Sequence, residues 1–330
     1  MVITSKRLRP VEDLRAGILG KGTILCSGRS VDDRADWREQ REVRRESPEH
    51  RRHAWGASAG VAASAMTTPD TYAAGVLGHD QPSELRRLRL RERLMDPETR
   101  RILLERGLRP EWRCLELGAG TGSIARWLAR RCPEGRVVAT DVDIRHLRAL
   151  RAENLERMRH DVVHDDFPDQ AFDLIHARSL LANVPERDAV LPKIARWLAP
   201  GGWAVLEEPA LVVHDSSPYP AFRRLFDAYE RALALSHGCD VRWPRRLPLL
   251  LHDVGLREIG MQHTLQVVGD RGPAEQVWRT ALEQARERMI AQELITEEDF
   301  ARGVALLDDP SFVDVAMVLV SAWGRRPVAP

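Results

Sequence analysis

The chain reads as an α/β protein with a doubly wound, mostly parallel sheet. Three observations predict this class. Short apolar runs alternate with helical stretches between residues 111 and 208, the pattern of parallel strands joined by crossover helices. A glycine turn joins the first run to a helix in Cys114-Leu-Glu-Leu-Gly-Ala-Gly-Thr-Gly122. The next two runs lead into acids, Asp141 and Asp161.

Taken in order, Pro82 to Met95 and Pro97 to Gly107 read as two helices, with Leu85, Leu88, Leu90 and Leu94 as a rough apolar stripe. The first strand ends at the acid Glu116, and a helix starts at Ser123 after the turn of Gly118, Gly120 and Gly122. Gly135 to Asp141 is the second strand, Leu155 to His160 the third, and Phe172 to Ala177 the fourth. A helix from Glu186 to Leu198 meets the glycine stop Pro200-Gly201-Gly202. Trp203 to Leu206 is the fifth strand, followed by Glu207-Glu208-Pro209. Tyr219 to Ser236 is a long helix with Phe222, Leu225, Phe226 and Tyr229 at helical spacing, and Arg245 to Val254 a shorter one. Arg257 to Val268 is a sixth strand, 273–292 and 296–307 two helices, and Phe312 to Trp323 a seventh strand. Thr296 followed by Asp299 has a capping-box pattern.

Length and charge bound the function. At 330 residues the chain is long enough for one large domain or two small ones, and its net charge is +1. Bulk attraction to nucleic acid or an anionic membrane is therefore not implied. Basic residues are nearly all arginine; the lysines are Lys6, Lys21 and Lys193. Cys26, Cys114, Cys132 and Cys239 are scattered without a CxxC, which argues against a zinc site or a disulfide framework and fits a reducing cytoplasm. No metal is expected. The sequence contains no run of about 18 apolar residues, the length of a membrane helix. Residues 1–65 are rich in mixed charge from Arg34 to Arg52 and read as a disordered extension or a solvated helix. Met66-Thr-Thr-Pro-Asp reads as an alternative start, so 1–65 is expected to be an over-extended upstream segment, with a genuine basic tail as the rival.

The glycine turn decides which nucleotide-type ligand fits. A dinucleotide corner carries Gly-x-Gly-x-x-Gly. Here the third glycine comes one residue early, at Gly122, with Ser123 in the expected place. Glu116 just before the turn would repel a pyrophosphate and suits a cationic ligand. No Gly-Lys-Ser/Thr follows, so a phosphate-binding P-loop is also disfavoured. Asp141 follows the turn at roughly the 20-residue spacing of an acid that takes ribose hydroxyls. Loop capping or turn formation is the structural alternative for Asp141 and for Asp161.

The run resembles class I S-adenosylmethionine-dependent methyltransferases of the ubiquinone/menaquinone methyltransferase-like branch, actinobacterial in type. Glu116-Leu-Gly-Ala-Gly-Thr-Gly122 matches the family's first motif, Asp141 the acid after the second strand, and Leu198-Ala-Pro-Gly-Gly202 its Leu-x-Pro-Gly-Gly turn. His160-Asp161 and Phe172-Asp173 resemble its Gly-Asp and Phe-Asp landmarks, with His160 in place of glycine. The resemblance implies a Rossmann-like seven-stranded sheet closed by an antiparallel hairpin, here split by helices. It implies an N-terminal helical cover over 66–110, a cofactor-binding core over 111–208, and a remainder, 209–330, with helical lid insertions over the acceptor. It implies S-adenosylmethionine as cofactor. Gly118, Ala119, Gly120 and Gly122 would pass under its methionine and ribose, and Glu116 would support the loop. Asp141 and Val142 would meet the ribose, Asp161 and Val162 the adenine, and Ala177 and Arg178 the methionyl end. Tyr72, Arg86 and Arg87 are further candidate contacts.

Methyl transfer is an in-line displacement, so the protein mainly aligns the reactants and excludes water. A hydroxyl acceptor also calls for a base. The candidates are His176, His214, His237 and His263, with His176 nearest the expected methyl position. Tyr219 and Trp243 are candidates for an aromatic acceptor pocket. No Asn/Asp-Pro-Pro-Tyr/Phe run and no Pro-Cys nucleophile is present, which disfavours adenine, glutamine and cytosine methylation. A small-molecule acceptor of secondary metabolism is expected, O-methylation narrowly ahead. The alternatives are an RNA methyltransferase using the basic residues of 1–53 and 86–106, a non-catalytic S-adenosylmethionine-binding partner, and an NAD-dependent oxidoreductase.

Overall fold

A computed structural model describes residues 75–78 and 80–328. The expectations on 1–65 and on Tyr72 lie outside the described residues. Seven strands form one sheet in the order β3-β2-β1-β4-β5-β7-β6. They are β1 (Arg113–Leu117), β2 (Arg136–Asp141), β3 (Leu155–Arg159), β4 (Phe172–Arg178), β5 (Leu198–Ala210), β6 (Arg257–Val268) and β7 (Asp314–Arg325). β1 to β5 are parallel, and β7 runs antiparallel between β5 and β6. The strand order reverses between β1 and β4, so the turns leaving their C-terminal ends diverge. That divergence opens a crevice, the usual ligand position in such sheets.

Among the described residues there are seven α-helices: α1 (Glu84–Glu105), α2 (Ser123–Arg131), α3 (Arg187–Trp197), α4 (Pro220–His237), α5 (Leu247–Asp253), α6 (Pro273–Ala291) and α7 (Glu297–Ala305). Strand alternation assigns the faces. Leu115, Leu117, Ile175 and Ala177 pack with Val190, Ile194 and Trp197 of α3 and with Leu247 and Leu251 of α5. Cys114, Val137, Ala139 and Leu174 point the other way, onto Ile102 and Leu103 of α1 and Ile124 and Leu128 of α2. A third cluster joins α4 and α6 through Phe222, Phe226, Tyr229 and Trp278.

Three expectations change. The helices 82–95 and 97–107 are one, because α1 runs through Pro97. Proline removes one helical donor, but Met95, Asp96, Thr99, Ile102 and Leu103 form a continuous buried face that holds the helix across it. α3 stops at Trp197, before its glycine stop, because Leu198 is already extended and enters β5. The fifth strand is the third case: β5 runs from Leu198 to Ala210, beyond Trp203–Leu206 at both ends, and β7 pairs with it from Trp203 to Ala210. α4, α6 and α7 pack on one another, and none of the residues lining the cavity described below comes from 209–330. α6 meets α1, with Gln284 Nε2 donating to Ser83 Oγ at 2.9 Å. Thr296 does cap α7, accepting from Asp299 N at 3.1 Å. Among the described residues no helix is long and apolar enough to cross a membrane.

Candidate active site

A cavity of about 750 Å³ lies at the C-terminal ends of β1, β2, β3 and β4, under α1, a size suited to a nucleoside-type ligand. Its floor is the glycine turn. Gly118, Gly120 and Gly122 have φ of 62°, 58° and 75°, a left-handed backbone that favours glycine. The turn is tied to the tip of β2 by Ala119 N donating to Thr140 O at 2.8 Å. Gly120 N donates to Asp141 Oδ2 at 2.8 Å. A Cβ on Gly120 would meet nothing nearer than Leu88 Cδ2 at 3.9 Å, and both residues line the cavity. The cradle is therefore open toward that space.

Of the residues nominated from sequence, Gly118, Gly120, Asp141, Val142, Asp161, Val162 and Arg178 line this one cavity. Asp141 and Asp161 also form the turns that were the alternative reading. Asp141 Oδ1 accepts from Asp143 N at 3.1 Å, and Asp161 Oδ1 from Val163 N at 2.9 Å. Arg178 reaches α1, donating to Thr99 Oγ1 and Asp96 Oδ1 at 2.9 Å each. His160 fits without a glycine, since its φ is not positive. Its N–H donates to Asp141 O at 3.0 Å, and its ring stacks on Phe167 at 4.5 Å. Burial lowers the pKa of that ring.

Other nominated residues lie outside the cavity. Ala119 and Ala177 are buried, and Gly122 caps the start of α2. His176 is the main correction. It is fully buried and does not line the cavity. Strand alternation places it on the α1 face, opposite Glu116 across β1 and β4. Its Nε2 lies 3.1 Å from Glu207 Oε2. Its Nδ1 lies 3.8 Å from Glu116 Oε1, too long for a hydrogen bond, so Glu116 acts on the ring through charge. Burial alone would lower its pKa, but the two carboxylates outweigh burial and raise it. Burial would raise the Glu207 carboxyl, yet its pKa is lowered, chiefly by His176. Ser321 Oγ and Thr99 Oγ1 complete its shell at 2.7 and 2.5 Å.

The other candidate bases fare no better. His214 is buried against Asp227, and His237 is buried with a pKa lowered to about 4 by that burial. Neither they nor His263 lines the cavity. Tyr219 packs on Phe312, and Trp243 is buried with Nε1 donating to Asp188. Arg87 is tied to Glu84 at 2.6 Å, and Arg86 is exposed.

Sequence reading missed Asp96 and Thr99. Ser123 Oγ donates to Asp96 Oδ1 at 3.0 Å. With Arg178 and Glu207, these two residues form a polar seam that docks α1 over the strand ends. The available signal was two polar residues three apart among the apolar Met95, Ile102 and Leu103.

This fold and this cavity define a class. The family described as "Methyltransferase domain" matches residues 79–258, more than half of the chain, and the chain belongs to it. By family it is a class I S-adenosylmethionine-dependent methyltransferase, and S-adenosylmethionine is the cofactor of that class. Among curated relatives, a trans-aconitate 2-methyltransferase of Variovorax paradoxus is 36% identical over 100 residues, covering 29% of this chain and 38% of the relative. A ubiquinone/menaquinone biosynthesis C-methyltransferase of Cupriavidus pinatubonensis is 28% identical over 134 residues, covering 38% and 53%. The chain thus spans between a third and about half of such relatives. A solved structure of a Haemonchus contortus phosphoethanolamine N-methyltransferase with S-adenosylhomocysteine overlays with a TM-score of 0.44 at 14% identity, covering 66% of this chain and 49% of that one.

The residues present fit the cofactor. The open cradle at Gly120 leaves room for it. Glu116 does not line the cavity, but it directly precedes the glycine-turn strand end at Leu117, and its Oε2 is a buried oxygen without a hydrogen-bond partner among the described residues. Its negative charge suits a cationic ligand and not a pyrophosphate.

Proposed function

We propose that this protein transfers the methyl group of S-adenosylmethionine to a small-molecule acceptor, with oxygen narrowly favoured as the atom that receives it. The observation that carries the reading is the convergence of the glycine turn, Asp141 and Asp161 on one cavity. The cofactor supplies a methyl group made electrophilic by a sulfonium. The chain's part is to hold the adenosyl group at Asp141 and Asp161, and the methionyl part over Gly118 and Gly120. α1 then closes the site from water. With His176 locked in the core, no side chain is assigned as base, and alignment is the main contribution.

The chain's net charge of +1 favours a small acceptor over RNA. Three of the seven α1 arginines are paired along the helix, Arg87 with Glu84, Arg100 with Asp96, and Arg101 with Glu98 and Glu105. Salt-sensitive RNA binding would reverse that choice. Acceptors to screen first are those the relatives' names suggest, trans-aconitate and quinone-type rings. Turnover of none, alongside tight cofactor binding, would favour a non-catalytic partner protein.

Calorimetry with S-adenosylmethionine and S-adenosylhomocysteine tests the cofactor site. Asp141→Ala is expected to weaken both ligands by about 1–3 kcal/mol, the range for hydrogen bonds to a charged group. Part of that loss comes through Gly120, whose N–H loses its acceptor. Unchanged affinity for both ligands would remove Asp141 from the site.

A further inference from the structure

Resting on the methyl-transfer reading above, we propose that Glu208 is a positioning residue. As a carboxylate, and only in that form, it holds the turn that walls the cavity beyond β4.

Glu208 is fully buried, on the sheet face opposite to Glu207. Its Oε1 accepts from Leu180 N at 3.1 Å and Leu181 N at 2.8 Å, and its Oε2 from Ala182 N at 3.2 Å. Three successive backbone donors thus end on one side chain. The carbonyls of the same turn are held from the other side. Arg187 Nε donates to Leu181 O at 3.1 Å and its Nη2 to Ala182 O at 3.3 Å. Asp240 N donates to Ala182 O at 2.8 Å. An anion on the donors and a cation on the acceptors clamp a turn that leaves Ser179 at a φ of 57°. Ser179, Leu180, Asn183, Val184 and Pro185, on this turn and beside it, line the cavity.

A carboxylate only accepts, which matches three N–H donors. A proton on Oε2 would face Ala182 N–H with a second donor and break that contact. Burial pushes the Glu208 carboxyl up to about 7, against the pull of the three N–H groups and of Arg91. The groups around it do not share that titration. Arg91 comes from α1 and Arg187 from α3, and arginine as a residue type does not give up its proton in proteins. His237 of α4, hydrogen-bonded to Asn183 at 3.0 Å, has its pKa lowered to about 4 by burial and stays neutral. The Cys239 thiol is pushed well above its usual range by burial. Asp240 lies 3.8 Å from Arg187. On β7 the residue opposite is the uncharged Val320. Glu208 is the group in this shell that changes charge near neutrality.

Two measurements on the full chain test this. The first is calorimetry with S-adenosylhomocysteine from pH 6 to 8.5, on wild type, Glu208→Gln and Glu208→Asp. Wild-type affinity is expected to rise about three- to tenfold as the carboxylate forms. Glu208→Gln, which turns an amide donor toward the turn, is expected to bind about tenfold more weakly at pH 8.5 with no pH dependence. Glu208→Asp should keep part of the slope. The second is hydrogen exchange of ligand-free wild type, corrected for intrinsic rates, which does not depend on a variant folding. The three N–H groups lower the Glu208 pKa, so an opening that removes them while the side chain stays buried raises it further and is favoured as pH falls; protection over 180–182 should drop at least fivefold between pH 8 and pH 6, while β4 stays unchanged. Flat protection over these amides overturns the proposal, as does a Glu208→Gln variant that binds like wild type at every pH. Absence of wild-type binding at any pH, with the exchange response intact, overturns the cofactor reading and leaves Glu208 as the holder of the turn.

Discussion

Gly120→Val is expected to lower affinity for S-adenosylhomocysteine by at least about 100-fold, or roughly 3 kcal/mol, while stability falls by only about 1–2 kcal/mol. The two effects have separate origins. Gly120 has a φ of 58°, a conformation that costs an L-residue that much, and a β-branched one most. No clash adds to this, because a Cβ there meets only Leu88 at 3.9 Å. The isopropyl group therefore stands in the cavity itself, between the turn and α1. Gly122 makes the contrast. A Cβ there lands 2.2 Å from Leu150 Cδ1 and 3.0 Å from Leu147 Cδ2, so Gly122→Val should cost more stability for its loss of binding. Calorimetry with thermal melts of both variants separates these cases. Near-wild-type affinity in Gly120→Val would show that the ligand does not lie over this turn.

His176→Ala is expected to destabilise the fold by about 3–5 kcal/mol, the cost of leaving a buried charge without its partner. Glu207 and Glu116 would both lose the imidazole between them. The pH dependence gives a second signature. The folded-state pKa of His176 is raised above its ordinary 6.5, so the folded protein holds this proton more tightly than the unfolded chain. The stabilisation is then complete below pH 6.5 and is lost as pH rises through the raised value. Glu207 behaves in the opposite sense. Its pKa is lowered from 4.5, and its contribution is lost as pH falls through the lowered value. Glu208, raised to about 7, contributes a decline common to wild type and variant, so the difference between their profiles isolates His176. Denaturant melts from pH 5 to 9 should show the His176 part of the decline in wild type and not in His176→Ala. If the variant keeps its stability and instead loses methyl transfer alone, His176 is a catalytic residue after all.

The difference between a base and a core cation at position 176 shows where sequence reading stops. In the chain, His176 stands at the end of a strand that leads into the site. Which way the ring turns depends on alternation in β4 and on what β1 and β5 place beside it. Glu116 and Glu207 are 60 and 31 positions away along the chain, and only strand pairing reveals that they flank one imidazole. The same holds for Glu208. Read along the chain, Glu207-Glu208 is one acidic pair. In the sheet the two side chains point to opposite faces, one toward the α1 seam and the other onto the turn beyond β4.

What the sequence determined by itself is what local chemistry determines. Apolar runs set most strands within a residue or two, with β6 on Arg257–Val268 as read, while β5 extends from Leu198 to Ala210, well past Trp203–Leu206. The glycines set the turn after β1, because few other residues tolerate its backbone. The acids at the ends of β2 and β3 marked the cavity edge. Tertiary structure alone decided the rest. It carried α1 across Pro97, because a continuous buried face outweighs one missing donor. It joined α4 and α6 through Phe222, Phe226, Tyr229 and Trp278, whose helices lie far apart in the chain. And it sorted the buried ionisable groups into those that face a ligand and those that hold strands together, since burial and pairing come from contacts between residues far apart in the chain.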